Sequence, residues 1–256
     1  GVELAGALGE ISRFTLGRDF RHIDPRSTRV ILIEGGGRIL GGFSEALSAG
    51  AARSLERLGV SIWTDRRVTR VDSDGVWIGE EHVRAQTVIW AAGVQASPLN
   101  RQLDADLDGT GRVKVAPDLS LPKYPEVFVI GDQAHVCGAD GHPLPGVAQP
   151  AIQGGVCVAR NILREQRGQD REGFVYRDKG SMATIGRAAA IVDLGFVKLS
   201  GFLAWIIWCF VHVIFLIGFR NRVLVLTQWI WSYFRYRRGA RLITRRDWRL
   251  ESEELS

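Results

Sequence analysis

The chain has 256 residues, 46% of them hydrophobic, with 30 Gly, 3 Cys, one Met and a net charge of +5. This composition excludes a collagen-like repeat, a disulfide-stapled mini-protein and a disordered tail, and the length suits one large or two modest domains. The charge is uneven: residues 219–249 carry nine Arg against one Asp, residues 250–256 carry three Glu, and the remainder is neutral. A neutral body with a basic segment implies an anionic partner surface, either membrane or nucleic acid.

The single Met is Met182. The chain opens on GVELAGAL, where Leu4, Leu8 and Ile11 already have helical spacing. With no leader or strand before it, the sequence reads as N-terminally truncated. Residues 28–34 (TRVILIE) form an apolar run ending in an acid, the pattern of a buried parallel strand. Three glycines break it, and Ser44 opens a helix whose apolar face is Ala46, Leu47, Ala51, Leu55 and Leu58 and which Gly59 ends. Strands are predicted at 60–64, 67–71 and 76–78, and a further buried strand at 87–93 (TVIWAAG). A proline-rich stretch leads to a strand at 127–130 (VFVI), then Gly131-Asp132, another loop and a helix over 151–165. Strand-like pieces, FVYRD and AAAIVDLG, follow within 174–199. Residues 201–219 contain no formal charge. As one helix at about 1.5 Å per residue they would extend about 28 Å, close to a bilayer core. Beyond them, Leu226, Ile230 and Tyr233 mark an apolar stripe, and Gln228, Ser232, Arg235 and Arg238 a polar one, predicting a basic amphipathic helix over 222–246.

Three places carry candidate chemistry. Glu34 closes a strand where an acid can hydrogen-bond an adenosine ribose, or it is an ordinary surface Glu. Gly1 would then be the last glycine of a G-x-G-x-x-G turn. Asp132 closes the 127–130 run and either binds sugar hydroxyls of a cofactor or caps a helix. Gln149 and Gln153 share a helix face. Their amides suit a carbonyl ligand such as a flavin or quinone, but the residues alone favour a solvated face. The cysteines (137, 157, 209) and the five His form no metal-ligand or dithiol spacing, so no metal is expected. His212 reads as a polar residue tolerated in an apolar helix.

Taken in order, these segments resemble the type II NADH dehydrogenases, single-subunit NADH:quinone oxidoreductases that pump no protons. GVELAGAL resembles the end of the family's G-G-G-P-T-G-V-E-L-A-G stretch, VIWAAGV its W-T-A-G-V, VFVIGDQA its V-F-x-I-G-D flavin motif and GVAQPAIQGG its A-Q-x-A-x-Q segment. YRDKGSMATIGR and GFRNR…SYFRYRRGARLI resemble its C-terminal region. Six such stretches keep their order over the whole chain.

The resemblance implies an α/β, two-dinucleotide-binding-domain (Rossmann-like) flavoprotein fold, truncated at its N-terminus, with a C-terminal helical membrane-attachment region. The implied domains are 1–94 (NADH binding), 95–165 (C-terminal part of the FAD domain), 166–199 (a strand-rich continuation) and 200–256 (membrane helices and basic tail). It implies FAD and NADH as cofactors, with electrons passing from NADH through FAD to a membrane quinone. Carried over residue by residue, Gly1 approaches the NADH pyrophosphate and Glu3 the nicotinamide and flavin. Glu34 selects NADH over NADPH, and Ala92 and Gly93 line the nicotinamide side. Gly131 and Asp132 take the FAD ribityl chain, Ala148 and Gln149 contact the flavin ring, and Lys179 lies near it. Gln149, Ile152 and Gln153 border the quinone, with Glu3, Gln149 and Gln153 closest to the chemistry.

The implied setting is the cytoplasmic face of a bacterial cell membrane, monotopic rather than spanning, on anionic lipid and without nucleic acid. A homodimer is left open. Two features depart from the family. Gly154 stands where Gln or Glu is common, which alters the rim of the quinone pocket, and the first FAD segment is absent before Gly1. The rivals are a soluble disulfide or ferredoxin reductase of the same fold and a non-catalytic membrane-binding fragment. The first has no use for residues 201–249, and residues 1–93 contain no Cys for a thioredoxin-reductase-type dithiol.

Overall fold

In the computed structural model the described residues are 1–15, 24–216 and 218–235. They divide into two compact units, one from residues 1–88 and 181 onward, the other from residues 89–180.

The first unit contains α1 (Val2–Glu10), β1 (Val30–Ile33), α2 (Glu45–Arg57) and β2 (Val60–Trp63). β1 and β2 pair in parallel, Val30 opposite Val60 and Ile33 opposite Trp63. A three-stranded antiparallel sheet follows: β3 (Arg70–Asp72), β4 (Gly75–Ile78) and β5 (Glu81–Arg84). β8 (Ser181–Gly186), β9 (Ala189–Asp193) and β10 (Lys198–Gly201) form a second antiparallel sheet, centred on β9. The core joins Ala5, Leu47, Ala51, Leu55, Val60, Ile185 and Ile191. On α2, Leu47, Ala51 and Leu55 are spaced by four and face inward, as the sequence predicts, whereas Ala46, predicted with them, is exposed.

α1 packs through its small residues. Leu4 and Ile11 are exposed, and the buried residues are Ala5, Gly6 and Gly9. The reason is close approach: a Cβ on Gly6 would overlap the Ile185 carbonyl of β8. α1 therefore packs backbone to backbone through small residues, and its large apolar side chains turn outward.

Three expectations change. Residues 87–93 form no strand; Ile89 is 51% and Trp90 66% exposed. An apolar run becomes a strand only when a neighbour completes its ladder, and none does so among the described residues. Residues 127–130 make backbone bonds to 119–121 and one isolated bridge, Ser120 to Phe128, but no regular strand. FVYRD is likewise irregular. The strand predicted at 67–71 lies at Arg70–Asp72, because Arg66 is tied to the Glu34 carbonyl and only Thr69 onward reaches β4.

The apolar 201–219 run is not one helix. α4 (Phe202–Ile214) ends at Phe215, Gly218 turns with φ +81°, and α5 (Phe219–Arg235) begins anew. Thirteen residues extend only about 20 Å. No helix among the described residues is long and apolar enough to cross a membrane. Ala204, Trp205, Ile207 and Trp208 pack on the β8–β10 sheet, while Phe202, Leu203, Ile206 and Phe210 stay exposed. Trp208 stacks on Trp229 of α5 at 5.6 Å. The part of the predicted 222–246 helix beyond Arg235, and the tail, lie outside the described residues, as do the side chains from Ser232 to Arg235.

The second unit contains β6 (Val113–Lys114), β7 (Ala134–His135) and the long helix α3 (Ala148–Glu165). Its core is Val113, Leu121, Val129 and Ala134. α3 starts three residues before the predicted 151: Pro150 is tolerated because first-turn N–H groups have no intrahelical partner to lose.

Candidate functional site

In the first unit, Glu34 follows β1 directly. Its carboxylate accepts the Gly36 N–H at 2.8 Å, closing the glycine turn, and its other oxygen has no hydrogen-bond partner among the described residues. Asp65, at the end of the neighbouring strand β2, lies over the same turn: its N–H donates to the Gly36 carbonyl, and a Cβ on Gly37 would stand 3.4 Å from its Oδ1. Two carboxylates thus flank Gly36-Gly37. The sequence reading missed Asp65; the signal was an acid just past the strand that pairs in parallel with β1. Gly1 caps α1, its carbonyl accepting from the Ala5 N–H. Glu3 is committed elsewhere: its carboxylate accepts the Thr184 N–H of β8 at 3.0 Å.

In the second unit a cavity of about 360 Å³ is lined by Gly93, Arg112, Gly131, Asp132, Gly146 and Pro150, among others. Ala92 is exposed beside Gly93. Gly131 has φ +65°, and a Cβ there would press on Ala151 at 3.2 Å. Glycine is required both for the backbone turn and for the fit against α3. The turn presents Asp132 to the cavity, where its carboxylate makes no hydrogen bond or ion pair among the described residues. Val147 and Pro150, at the start of α3, line the same space, so the positive end of the helix dipole faces it. A free carboxylate beside glycines and a helix N-terminus fits a hydroxylated chain, the donor-rich part of a flavin cofactor.

Gln149 and Gln153 are not a solvated face. Gln149 donates to the Gly180 carbonyl at 2.8 Å and accepts the Lys179 N–H at 3.2 Å. Gln153 donates to the Arg177 carbonyl at 2.9 Å and accepts the Arg177 N–H at 3.0 Å. Eight residues on, fully buried Asn161 repeats the pattern with Glu172, at 2.8 and 2.9 Å. Side-chain amides at helical spacing thus take the part of a neighbouring strand for residues 172–180, each satisfying backbone groups in both directions. The sequence reading missed Asn161, although it continues the four-residue spacing of the glutamines. Ile152, on another face, is 55% exposed.

Two family models match the chain: the pyridine nucleotide-disulphide oxidoreductase model over residues 1–155 and the NDH2 C-terminal domain model over 179–238. The chain is 43% identical to type II NADH:quinone oxidoreductase Ndh of Mycobacterium tuberculosis, over 95% of this chain and 54% of that one. It is 39% identical to NdhA of the same organism, over 95% and 54%. Its fold matches that of NDH2 from Plasmodium falciparum in complex with NADH, with a TM-score of 0.81 at 15% identity, over 94% of this chain and 65% of that one. The chain spans about half the length of the curated relatives it matches. The chain belongs to the pyridine nucleotide-disulphide oxidoreductase family, and its residues 179–238 match the NDH2 C-terminal domain.

Proposed function

We propose that the chain is the larger part of a membrane-associated flavoprotein that passes electrons from NADH through FAD to a membrane quinone without pumping protons. Residues 1–94 serve NADH, residues 95–165 belong to the FAD domain, residues 166–199 are a strand-rich continuation whose strands from Ser181 onward pack in the first unit, and residues 200–256 hold lipid. The observation that carries this reading is Asp132: a carboxylate with no partner among the described residues, set by a glycine turn at a cavity beside a helix N-terminus.

Bound flavin would supply the hydride and electron chemistry, and the protein supplies position and electrostatics. Asp132 accepts hydroxyl donors of the ribityl chain, and Ala148 and the start of α3 meet the ring. Glu34 accepts from the adenosine ribose of NADH, while Asp65 adds a second negative charge against a 2′-phosphate. Gly1 lets backbone approach the pyrophosphate, and Ala92 and Gly93 leave room for the nicotinamide. Glu3 is assigned to the nicotinamide and flavin by the resemblance alone, since its carboxylate accepts the Thr184 N–H. Gln149 and Gln153 shape the quinone edge with Ile152, and Lys179 stays near the flavin through its backbone bond to Gln149. The exposed apolar face of α4 and the arginines of the basic segment suit a monotopic seat on anionic lipid at the cytoplasmic face.

Asp132→Ala in the complete protein tests the flavin assignment. Loss of bound flavin absorbance supports it, and full occupancy overturns it. Protease digestion of sealed inverted vesicles tests the monotopic seat. Protection of the segment after Arg220 from cytoplasmic-side protease, with exposure from the other side, would overturn it.

A further inference from the structure

The loop behind the cavity holds an arrangement that the electron-transfer reading leaves unused. β7 and the residue after it alternate: Ala134 and Val136 line the cavity, while the next residue on from each, His135 and Cys137, falls on the other side of the strand. Cys137 Sγ lies 3.5 Å from His135 Nε2. His135 Nδ1 lies 2.9 Å from Asp108 Oδ2. Asp108 is anchored in turn by the Arg112 Nε at 2.7 Å, the Arg112 N–H at 2.9 Å and the Thr110 N–H at 2.8 Å. Burial raises the Asp108 carboxyl, but the Arg112 backbone N–H, His135, Thr110 and the Arg112 side chain together hold it well below the usual carboxylate range. It is therefore an anion whenever the chain is folded near neutrality.

An ionised Asp108 fixes the imidazole tautomer. Nδ1 must carry the proton that faces the carboxylate, which leaves the Nε2 lone pair directed at the thiol. The Arg112 guanidinium, 3.5 Å from Nδ1, is the more distant contact and is already spent on Asp108. Thiol, imidazole and carboxylate thus stand in the order that generates a nucleophile: the base meets the sulfur, and a third group orients the base. Cys137 is exposed, whereas Cys157 and Cys209 are partly covered, and burial pushes both of those thiols up. Other charged or titratable groups around the pair are Lys114, which stands opposite His135 in the β6–β7 pairing, and, from the pair's own loop, Asp140 and His142, the Asp140 carboxylate accepting the His142 N–H.

We propose that Cys137, with His135 as its base and Asp108 as the positioning residue, is a reactive thiol that exchanges with low-molecular-weight disulfides. The Cys137 proton passes to His135 Nε2, and the sulfur attacks one sulfur of the disulfide. A new S–S bond forms as the old one breaks, and its electron pair leaves with the departing thiolate, which takes the proton from the imidazolium. Cys137 is thereby oxidised to a mixed disulfide, and the departing half is reduced to a thiol. The modified side chain then sits on the strand whose opposite face lines the cavity.

The test uses the full chain carrying Cys157→Ser and Cys209→Ala, with dithiobis(nitrobenzoate) as the disulfide at pH 6.5. A base positioned to take the thiol proton as the sulfur attacks speeds the exchange, and an advantage of at least about fivefold is expected. The rate in the folded chain should exceed that of the same chain in denaturant by about this factor. His135→Gln should remove the advantage, and glutathione disulfide should add one glutathionyl group at Cys137 by mass spectrometry. A folded chain that reacts no faster than the unfolded one overturns the proposal, as does a folded His135→Gln variant with an unchanged rate. The folded-to-unfolded comparison needs no substitution in the cluster, so a poorly folding His135 variant leaves the test intact.

Discussion

Asn161→Ala cuts the last rung of the amide ladder on α3. The side chain is fully buried and makes two hydrogen bonds to Glu172, one to its N–H and one to its carbonyl. A net value of about 1 kcal/mol for each bond, with a small addition for the space left behind, gives about 2–3 kcal/mol. The cost falls on the second unit, because both partners lie within residues 89–180. Opening of the C-terminal half of α3 and of residues 170–175 should then become roughly 30- to 150-fold more frequent. Hydrogen exchange read by mass spectrometry resolves this directly: peptides over 157–175 should exchange faster by that factor, and peptides over β9 should not change. Asn161→Asp separates the two bonds, since a carboxylate can still accept from the Glu172 N–H but cannot donate to its carbonyl. A change below about threefold in Asn161→Ala would refute the idea that the amides hold this segment.

Glu34→Ala in the complete enzyme should weaken NADH binding by about tenfold, the lower range for a hydrogen bond to a charged group, and relax the exclusion of NADPH. Adding Asp65→Asn should relax it further, and an unchanged NADH:NADPH preference in steady-state kinetics would remove both assignments. Gln149→Ala should cost quinone reduction more than NADH-to-flavin transfer; an equal loss in both half-reactions, followed by stopped flow, would leave the amide as a purely structural tie to Lys179 and Gly180. Gly6→Ala, forced against the Ile185 carbonyl, should destabilise the first unit by about 1–3 kcal/mol, visible as an earlier thermal transition. The second unit should weaken in acid. The carboxyls of Asp108 and Asp118 lie below their ordinary values because hydrogen bonds, and Arg171 in the case of Asp118, outweigh burial. A depressed folded value contributes stability above the unfolded carboxyl range, about pH 4, that is lost as pH falls through the folded value. Asp118→Asn should flatten that acid limb in a urea series, and a limb of unchanged slope would contradict the linkage.

Local pattern carried the fold wherever the partner of a segment was itself local. The α2 stripe, the β1 run with its closing acid and the glycine turn after it could all be read because adjacent chain satisfies them. Residues 87–93 could not be: an apolar run does not reveal whether a neighbour exists to complete its ladder. For α1 the small residues could be read from the sequence, but their partner could not. Gly6 meets Ile185 of β8, a strand that begins about 175 residues further along, while Gly9 meets Leu58 and Val60. The glutamines were legible as a pair but not as a ladder, since their partners are backbone groups in a segment with no secondary structure. Hydropathy likewise saw the 201–219 run but not its break, which depends on Gly218 turning at positive φ.

β10 ends at Gly201 and α4 begins at Phe202. No slack separates the sheet from the helix, and Ala204 and Trp208 bind the helix back onto that sheet. A helix joined through a long flexible segment would act as a leash, limiting distance and leaving the attached body free to tumble. This junction acts as a foot. Whatever surface receives Phe202, Leu203, Ile206 and Phe210 fixes the tilt of the β8–β10 sheet, and with it the direction in which α1 presents Glu3.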